Sequence, residues 1–335
     1  MSVTLKPSIS VVIPVYNGGD AFLRCLDSLK ALDPQPLEII VVGDGDTDGS
    51  SEAAQREGAL VLRTASRQGP ASARNLGAQT ASGEILFFLD ADITLPKSAV
   101  CRIAEAFSRD SGLSALFGSY DDAPVEPGFL SQYRNLLHHY VHQNGNEHAS
   151  TFWAGCGAIK RDVFLSLNGF NVGYKRPSIE DIELGYRLKK QGHRIFLDRG
   201  LLVTHLKKWN ALSILKTDFF NRALPWTRLI FSEGGFIEDL NLKIASRLSV
   251  ICVFMLTISL ILSLISTAFW APAFLGAFLL CVFNRDLYRF FIEKRGALFT
   301  IGAVFWHWLY YLYSGLAFGI GLCEFGMRRF CKLSR

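Results

Sequence analysis

Gly83-Glu84-Ile85-Leu86-Phe87-Phe88-Leu89-Asp90-Ala91-Asp92 is the stretch on which the fold turns. Glu84–Leu89 reads as a short buried strand, opened by a glycine and closed by two carboxylates one residue apart. Two aspartates at a strand end repel each other and lose solvation unless a cation joins them. Hard oxygen ligands suit Mg²⁺ or Mn²⁺, which take one or two protein carboxylates and fill the remaining positions with phosphate and water. Such an ion makes sense where a diphosphate departs.

Upstream, short apolar runs alternate with helical patterns. Strands are expected over Ile9–Pro14, Leu37–Val42 and Ala59–Arg63, and helices over Asp20–Leu32, Ser50–Glu57 and Ala71–Thr80. This alternation predicts an α/β fold, a mostly parallel sheet with helices on both faces, whose ligands gather beyond the carboxyl ends of the strands. Val15-Tyr16-Asn17-Gly18-Gly19, Gly43-Asp44-Gly45 and Asp90-Ala91-Asp92 all fall there. A dinucleotide-binding domain would carry G-X-G-X-X-G after its first strand; V-Y-N-G-G-D stands in that place and excludes it.

Half of the 335 residues are hydrophobic, and the excess lies late in the chain. Neither Leu248–Phe283 nor Ala297–Cys323 contains a charged residue. Each exceeds the roughly 20 residues that cross a bilayer, and one helix over the first would reach about 54 Å. The Trp270-Ala271-Pro272 sequence suggests a break. The reading is a hairpin, Leu248–Phe269 and then Ala273–Phe283 extended by Leu287–Phe291, followed by a third span over Ala297–Cys323. The formal charge of +5 equals the basic excess from Asn284 onward, carried by Arg285, Arg289, Lys294, Arg295 and the Arg328–Arg335 tail. Basic residues flanking apolar spans favour the cytoplasmic side and anionic headgroups, which argues against nucleic acid as the partner. With that rule both the loop and the tail want one side, so the number of crossings stays open. Met1–Ser10 lacks a signal-peptide pattern, which predicts a cytoplasmic catalytic domain on a multi-pass membrane protein. The seven cysteines show no metal spacing and read as reduced thiols.

The chain resembles the family 2 glycosyltransferases, which have the GT-A fold. The resemblance rests on V-V-I-P-V-Y-N-G-G (Val11–Gly19), E-I-I-V-V-G-D-G-D-T-D-G-S (Glu38–Ser50), G-P-A-S-A-R-N-L-G (Gly69–Gly77) and G-E-I-L-F-F-L-D-A-D (Gly83–Asp92). Further along come W-A-G-C-G-A-I-K-R-D-V-F (Trp153–Phe164), L-N-G-F (Leu167–Phe170) and I-E-D-I-E-L-G-Y-R-L (Ile179–Leu188). It implies a nucleotide-sugar pocket built from Pro14, Tyr16, Asn17, Asp44, Arg74, Asn75 and Asp90. It implies Mn²⁺ or Mg²⁺ on Asp92 with Asp90 and, as in some relatives, His205. It makes Asp181 of the Glu180-Asp181 pair the catalytic base, and places Trp153, Gly155 and Glu180 at the acceptor. Two positions depart from the family's D-D-G-S turn: Gly43 replaces the first acid, and Asp46 replaces the serine.

The implied domains are a GT-A catalytic domain over 1–205 (nucleotide-sugar half about 1–95, acceptor half about 96–205), an amphipathic surface segment over 206–247 and a transmembrane region over 248–335. The expected reaction is inverting transfer of one sugar to a lipid or lipid-linked glycan. An alternative acceptor is a polyprenyl phosphate; rival readings are a nucleotidyltransferase and a degenerate membrane scaffold. Arg222 and Trp226 only echo the Q-X-X-R-W of processive synthases, because the glutamine is absent. His138 and His142, at i and i+4, lack a third zinc ligand and read as acceptor lining or surface.

Overall fold

The structure is a computed structural model that describes residues 6–232 and 243–333. Residues 1–5 of the expected non-leader start, 233–242 of the expected surface segment and the last two of the basic tail lie outside the described residues. The chain divides into two compact units, Met1–Lys208 and Trp209–Arg335.

In the first unit, β1 (Ile9–Val15), α1 (Gly19–Lys30), β2 (Glu38–Gly43), α2 (Ser50–Arg56), β3 (Leu60–Arg63), α3 (Pro70–Thr80) and β4 (Ile85–Leu89) follow the expected alternation. The strands run parallel in the order β3-β2-β1-β4, with Val11 opposite both Ile39 and Phe87. Period-two alternation divides two cores between the faces: Val11, Ile13 and Phe87 on one, Val12, Leu86 and Phe88 on the other. On the second face Phe88, Phe164 and Phe170 form a ring triad with centroids 5.0–5.1 Å apart.

The later elements are β5 (Ile93–Thr94), α4 (Ala99–Arg109), β6 (Leu113–Tyr120), α5 (Phe129–Gln143), β7 (His148–Ala149), β8 (Cys156–Lys160), α6 (Arg161–Ser166), α7 (Glu180–Lys190) and β9 (Arg194–His205). Helix α4 buries Val100, Ile103, Ala104 and Phe107, one amphipathic stripe. Strand β8 enters between β4 and β6, antiparallel to both, while β6 and β9 run parallel. The Leu89–Cys156 pairing sets the loop after β4 beside the loop before β8, and the Asp90 N–H donates to the Gly155 carbonyl at 3.0 Å. Helix α7 begins with Glu180, Asp181 and Glu183 and ends with Arg187, Lys189 and Lys190, as the helix dipole favours.

The second unit is helical: α8 (Ala211–Lys216), a π-helical stretch Thr217–Ala223, α9 (Leu224–Ser232), α10 (Ile244–Leu262), a 3₁₀ turn Thr267–Phe269, α11 (Trp270–Phe283) and α12 (Arg285–Leu333). Asn210 and Ser213 close a reciprocal capping box at the start of α8. Here the sequence reading needs correction. The first expected arm stops at Leu262, and Pro272 lies in the first turn of α11, where a missing N–H costs little. The expected return arm is broken: Thr267–Phe283 and Arg285–Met327 meet at a 68° bend. At that bend Asn284 donates to Ser249 Oγ and the Leu280 carbonyl and accepts from Tyr311 Oη. Within α12, Gly296 leaves helical geometry at φ 81°, ψ 173°. Among the described residues one helix, Ile244–Leu262, is long and apolar enough to cross a membrane, or two if the bent pair counts as one span. The third expected span is charge-free without being strongly apolar, because it carries Trp306-His307-Trp308 and Tyr310-Tyr311. His307 and Trp308 both engage Tyr288 Oη, each at 3.2 Å.

Candidate active site

The loops after β1, β2 and β4 meet the start of α7 at the carboxyl end of the sheet. Asp44, only 4% exposed, accepts from the N–H groups of Gln68 and Gly69 (2.8 Å each) and from Thr64 Oγ1 (3.0 Å). Its carboxylate therefore shapes the 64–69 loop. Asn17 sits at φ 50° and accepts from Thr47 N–H at 2.8 Å. Tyr16 is exposed beneath the Arg67 guanidinium, 3.9 Å from its ring centroid, and Pro14 is half-buried in β1.

The two departures from the family turn are one feature in space. A Cβ on Gly43 would stand 2.2 Å from Asp46 Oδ1 and 2.3 Å from Ser51 Oγ. Asp46 fills that room by accepting from Ser51 N–H at 2.9 Å and Ser51 Oγ at 2.8 Å, at the start of α2. The Asp46 carboxylate thus occupies the room that a side chain at position 43 would need.

Arg74 is the hub. Its side chain is buried, and it donates from Nη2 to Asp90 Oδ1 at 2.6 Å and from Nη1 to Glu180 Oε1 at 3.0 Å. One cation thus links the acidic pair after β4 to the acidic start of α7. Its buried Nε has no hydrogen-bond partner among the described residues. Glu180, expected at the acceptor, is turned inward: it is 4% exposed, and its second oxygen accepts from Ser178 N–H at 2.9 Å. Asn75, expected at the donor, clamps the Phe170 backbone from both sides, donating to its carbonyl and accepting from its N–H at 2.8 Å.

Asp181 is half-buried, with one oxygen accepting from Ala154 N–H at 3.1 Å and the other from Ile182 N–H at 2.8 Å. Burial, and next the charge of Glu180, push its carboxyl up to about 6 against those donors and Arg74. That is a value suited to proton transfer near neutrality.

Asp92 Oδ2 and His205 Nε2 stand 3.6 Å apart. Burial opposes ionisation of Asp92, yet the His205 ring and Lys207 outweigh it and hold the carboxyl at about 2. Two ligands about 2.1 Å from one ion lie between about 3.0 and 4.2 Å apart, so this pair fits a shared Mg²⁺ or Mn²⁺. Among the described residues no group of three or more His, Cys, Asp or Glu side chains gathers to hold a metal. One oxygen of Asp90 is committed to Arg74. A donor set of two suits an ion that takes its other ligands from phosphate and water.

Trp153 is half-buried in an aromatic cluster with Tyr120, His138 and His142, at centroid distances of 4.8, 5.2 and 5.3 Å. His142 is 4% exposed and its Nδ1 lies 3.2 Å from the Gly118 carbonyl, so it is core and not surface. Sequence reasoning passed over Tyr120, since a tyrosine ending a strand carries no signal until its neighbours are known.

Residues 10–167 match Glycosyl transferase family 2. Glycosyltransferase GlyG of Streptococcus pneumoniae serotype 4 is 37% identical over 234 residues, covering 66% of this chain and 76% of GlyG. The uncharacterized glycosyltransferase YibD of Escherichia coli K12 is 40% identical over 88 residues, which are 25% of this chain and only 26% of YibD. Among solved structures, the mannosyltransferase PcManGT from Pyrobaculum calidifontis, in complex with GDP-Man and Mn²⁺, has a TM-score of 0.52 at 18% identity, covering 94% of this chain and 88% of that one. The fold is of the GT-A kind, and the chain belongs to glycosyltransferase family 2. It is an enzyme that transfers a sugar from a nucleotide-sugar donor.

Proposed function

We propose that the chain is an inverting, metal-dependent transferase that moves one sugar to a lipid or lipid-linked glycan at the cytoplasmic membrane face. The observation that carries this reading is Arg74 joining Asp90 to Glu180, which sets Asp181 beside the donor end of the sheet. In this reading 1–205 is catalytic, 206–247 lies on the membrane surface and 248–335 anchors. Exposed Ile251, Ile258, Ile261, Leu264 and Phe274 in the second unit support a bilayer partner.

Pro14, Tyr16, Asn17 and the loop ordered by Asp44 hold the nucleotide, while Asn75 keeps the Phe170 turn in place behind Arg74. Asp92 and His205 would hold Mn²⁺ or Mg²⁺, which when bound supplies charge neutralisation for the departing diphosphate, while Asp90, expected as a further ligand, is engaged by Arg74 at the donor pocket. Trp153 and Gly155 border the acceptor. Asp181 takes the proton from the attacking hydroxyl, and a single displacement opposite the leaving group inverts the anomeric carbon. Glu180 acts as its buttress.

The test is nucleoside diphosphate release from a panel of UDP-, GDP- and dTDP-sugars with Mn²⁺ or Mg²⁺, using detergent-solubilised full-length protein. Release from one donor, lost in Asp92→Ala, supports the reading; no release from any donor, with or without lipid extract, overturns it. A polyprenyl phosphate acceptor is the second reading, favoured by the apolar second unit. A phosphate nucleophile needs no base, so Asp181→Asn would abolish transfer to a hydroxyl but only weaken transfer to a phosphate.

A further inference from the structure

The Asp92–His205 pair sits against a ring stack for which the proposed reaction has no use so far. Tyr120 ends β6 and His205 ends β9, and the parallel register that opposes Tyr120 to Val203 brings the two rings level. Their centroids are 4.3 Å apart with only 13° between planes. The phenol ring also meets Trp153 in a T-shape at 4.8 Å and His138 at a tilt at 4.6 Å. Its backbone is pinned on both sides: the Tyr120 carbonyl lies 2.7 Å from His139 Nδ1, and Asp121 N–H donates to the Val203 carbonyl at 2.9 Å. Tyr120 is 8% exposed and His205 7%.

An imidazole binds a cation only when its ring plane contains the ion, so rotation about its side chain removes the ligand without removing the residue. Strand pairing fixes the His205 backbone but leaves that rotation free; Ile93 opposite it and Leu206 N–H on the Asp92 carbonyl govern main chain only. The one flat surface parallel to the imidazole among the described ring contacts is Tyr120. We propose that Tyr120 is a positioning residue whose ring face holds His205 Nε2 toward Asp92, and that Trp153 braces it from the acceptor side. The proposal rests on reading Asp92 and His205 as metal ligands.

The test is Mn²⁺ titration of the solubilised full-length protein with saturating UDP, GDP or dTDP, whose diphosphate supplies the ligands that two side chains leave open, followed by electron paramagnetic resonance against nucleotide without protein. Tyr120→Phe keeps the ring face and should bind Mn²⁺ as the parent does. Tyr120→Leu should weaken binding by about tenfold or more, the range seen when residues that orient metal ligands are removed. His205→Ala is the control. If it leaves Mn²⁺ affinity unchanged, or the parent takes up no Mn²⁺, the ligand reading fails and the proposal fails with it. If His205→Ala weakens binding but Tyr120→Leu does not, the ligand reading stands and the positioning role is overturned. Should Tyr120→Leu fail to fold, Tyr120→Met, which refills the volume without a ring face, carries the same expectations.

Discussion

The raised carboxyl of Asp181 makes a prediction about pH. With its value pushed from 3.8 to about 6, about 9% of the carboxylate is ionised at pH 5 and about 91% at pH 7. A base that must be ionised to act therefore gives a rate that rises roughly tenfold between pH 5 and 7. An ordinary aspartate would already be about 94% ionised at pH 5, and the profile would be flat over the same interval. Asp92 contributes no limb here, because its carboxyl is held at about 2. The assay is donor-dependent nucleoside diphosphate release at subsaturating donor, from pH 5 to 8. Glu180→Gln identifies the group: it removes the neighbouring charge that helps raise Asp181 while its remaining amide oxygen can still accept from Arg74. The limb should move to lower pH in that variant. A flat profile, or a limb that stays put when Glu180 is neutralised, would refute the assignment of Asp181 as the titrating base.

Other expectations concern the frame around that pair. Arg74→Met leaves Asp90 and Glu180 without their shared cation, which should cost about 3–5 kcal/mol in denaturant unfolding, with the pH limb moving upward. Gly43→Ala drives a methyl into Asp46 and Ser51 and should lose about 1–3 kcal/mol, and adding Asp46→Ser should recover part of it. Gly185→Ala places a Cβ 2.5 Å from Phe152 N and 2.6 Å from Thr151 Cα, so the loop beside Trp153 must shift. Its acceptor KM should rise while its donor KM holds, with a stability loss of about 1–3 kcal/mol. Asn75→Ala strips both partners from the buried Phe170 backbone, and thermal unfolding should register about 1–3 kcal/mol.

The first four strands were legible to within a residue or two because each reads as a short apolar run between helical patterns, three of them lying inside the sheet and β3 at its edge. The acidic ends were legible for a similar reason, since carboxylates at the close of buried strands need an explanation. The insertion of β8 between β4 and β6 was not, because strand order depends on pairings between residues far apart in the chain. The inward turns of Glu180 and Asn75 were hidden in the same way: their partners Arg74 and Phe170 lie 106 and 95 positions away. The helical unit was legible in part: the apolar character of α10 was, and that of α12 was read too simply. A run without charges was taken as a run of oil, whereas tyrosine, tryptophan and histidine in α12 carry polar groups that engage Tyr288, Asn284 and Asp218.

The single reversed strand beside β4 bears on how such an enzyme could change its substrate. Because β8 runs against β4, the segment leading into it, Thr151–Gly155, meets the loop of the aspartates through a main-chain bond, Asp90 N–H to the Gly155 carbonyl, while Phe152 and Ala154 pack into the core. Main-chain bonds are indifferent to side chains. Thr151, Phe152 and Ala154 are buried, so the half-buried Trp153 is the position of this segment that can be exchanged, by drift or by grafting, while the register that fixes the aspartates is inherited unaltered.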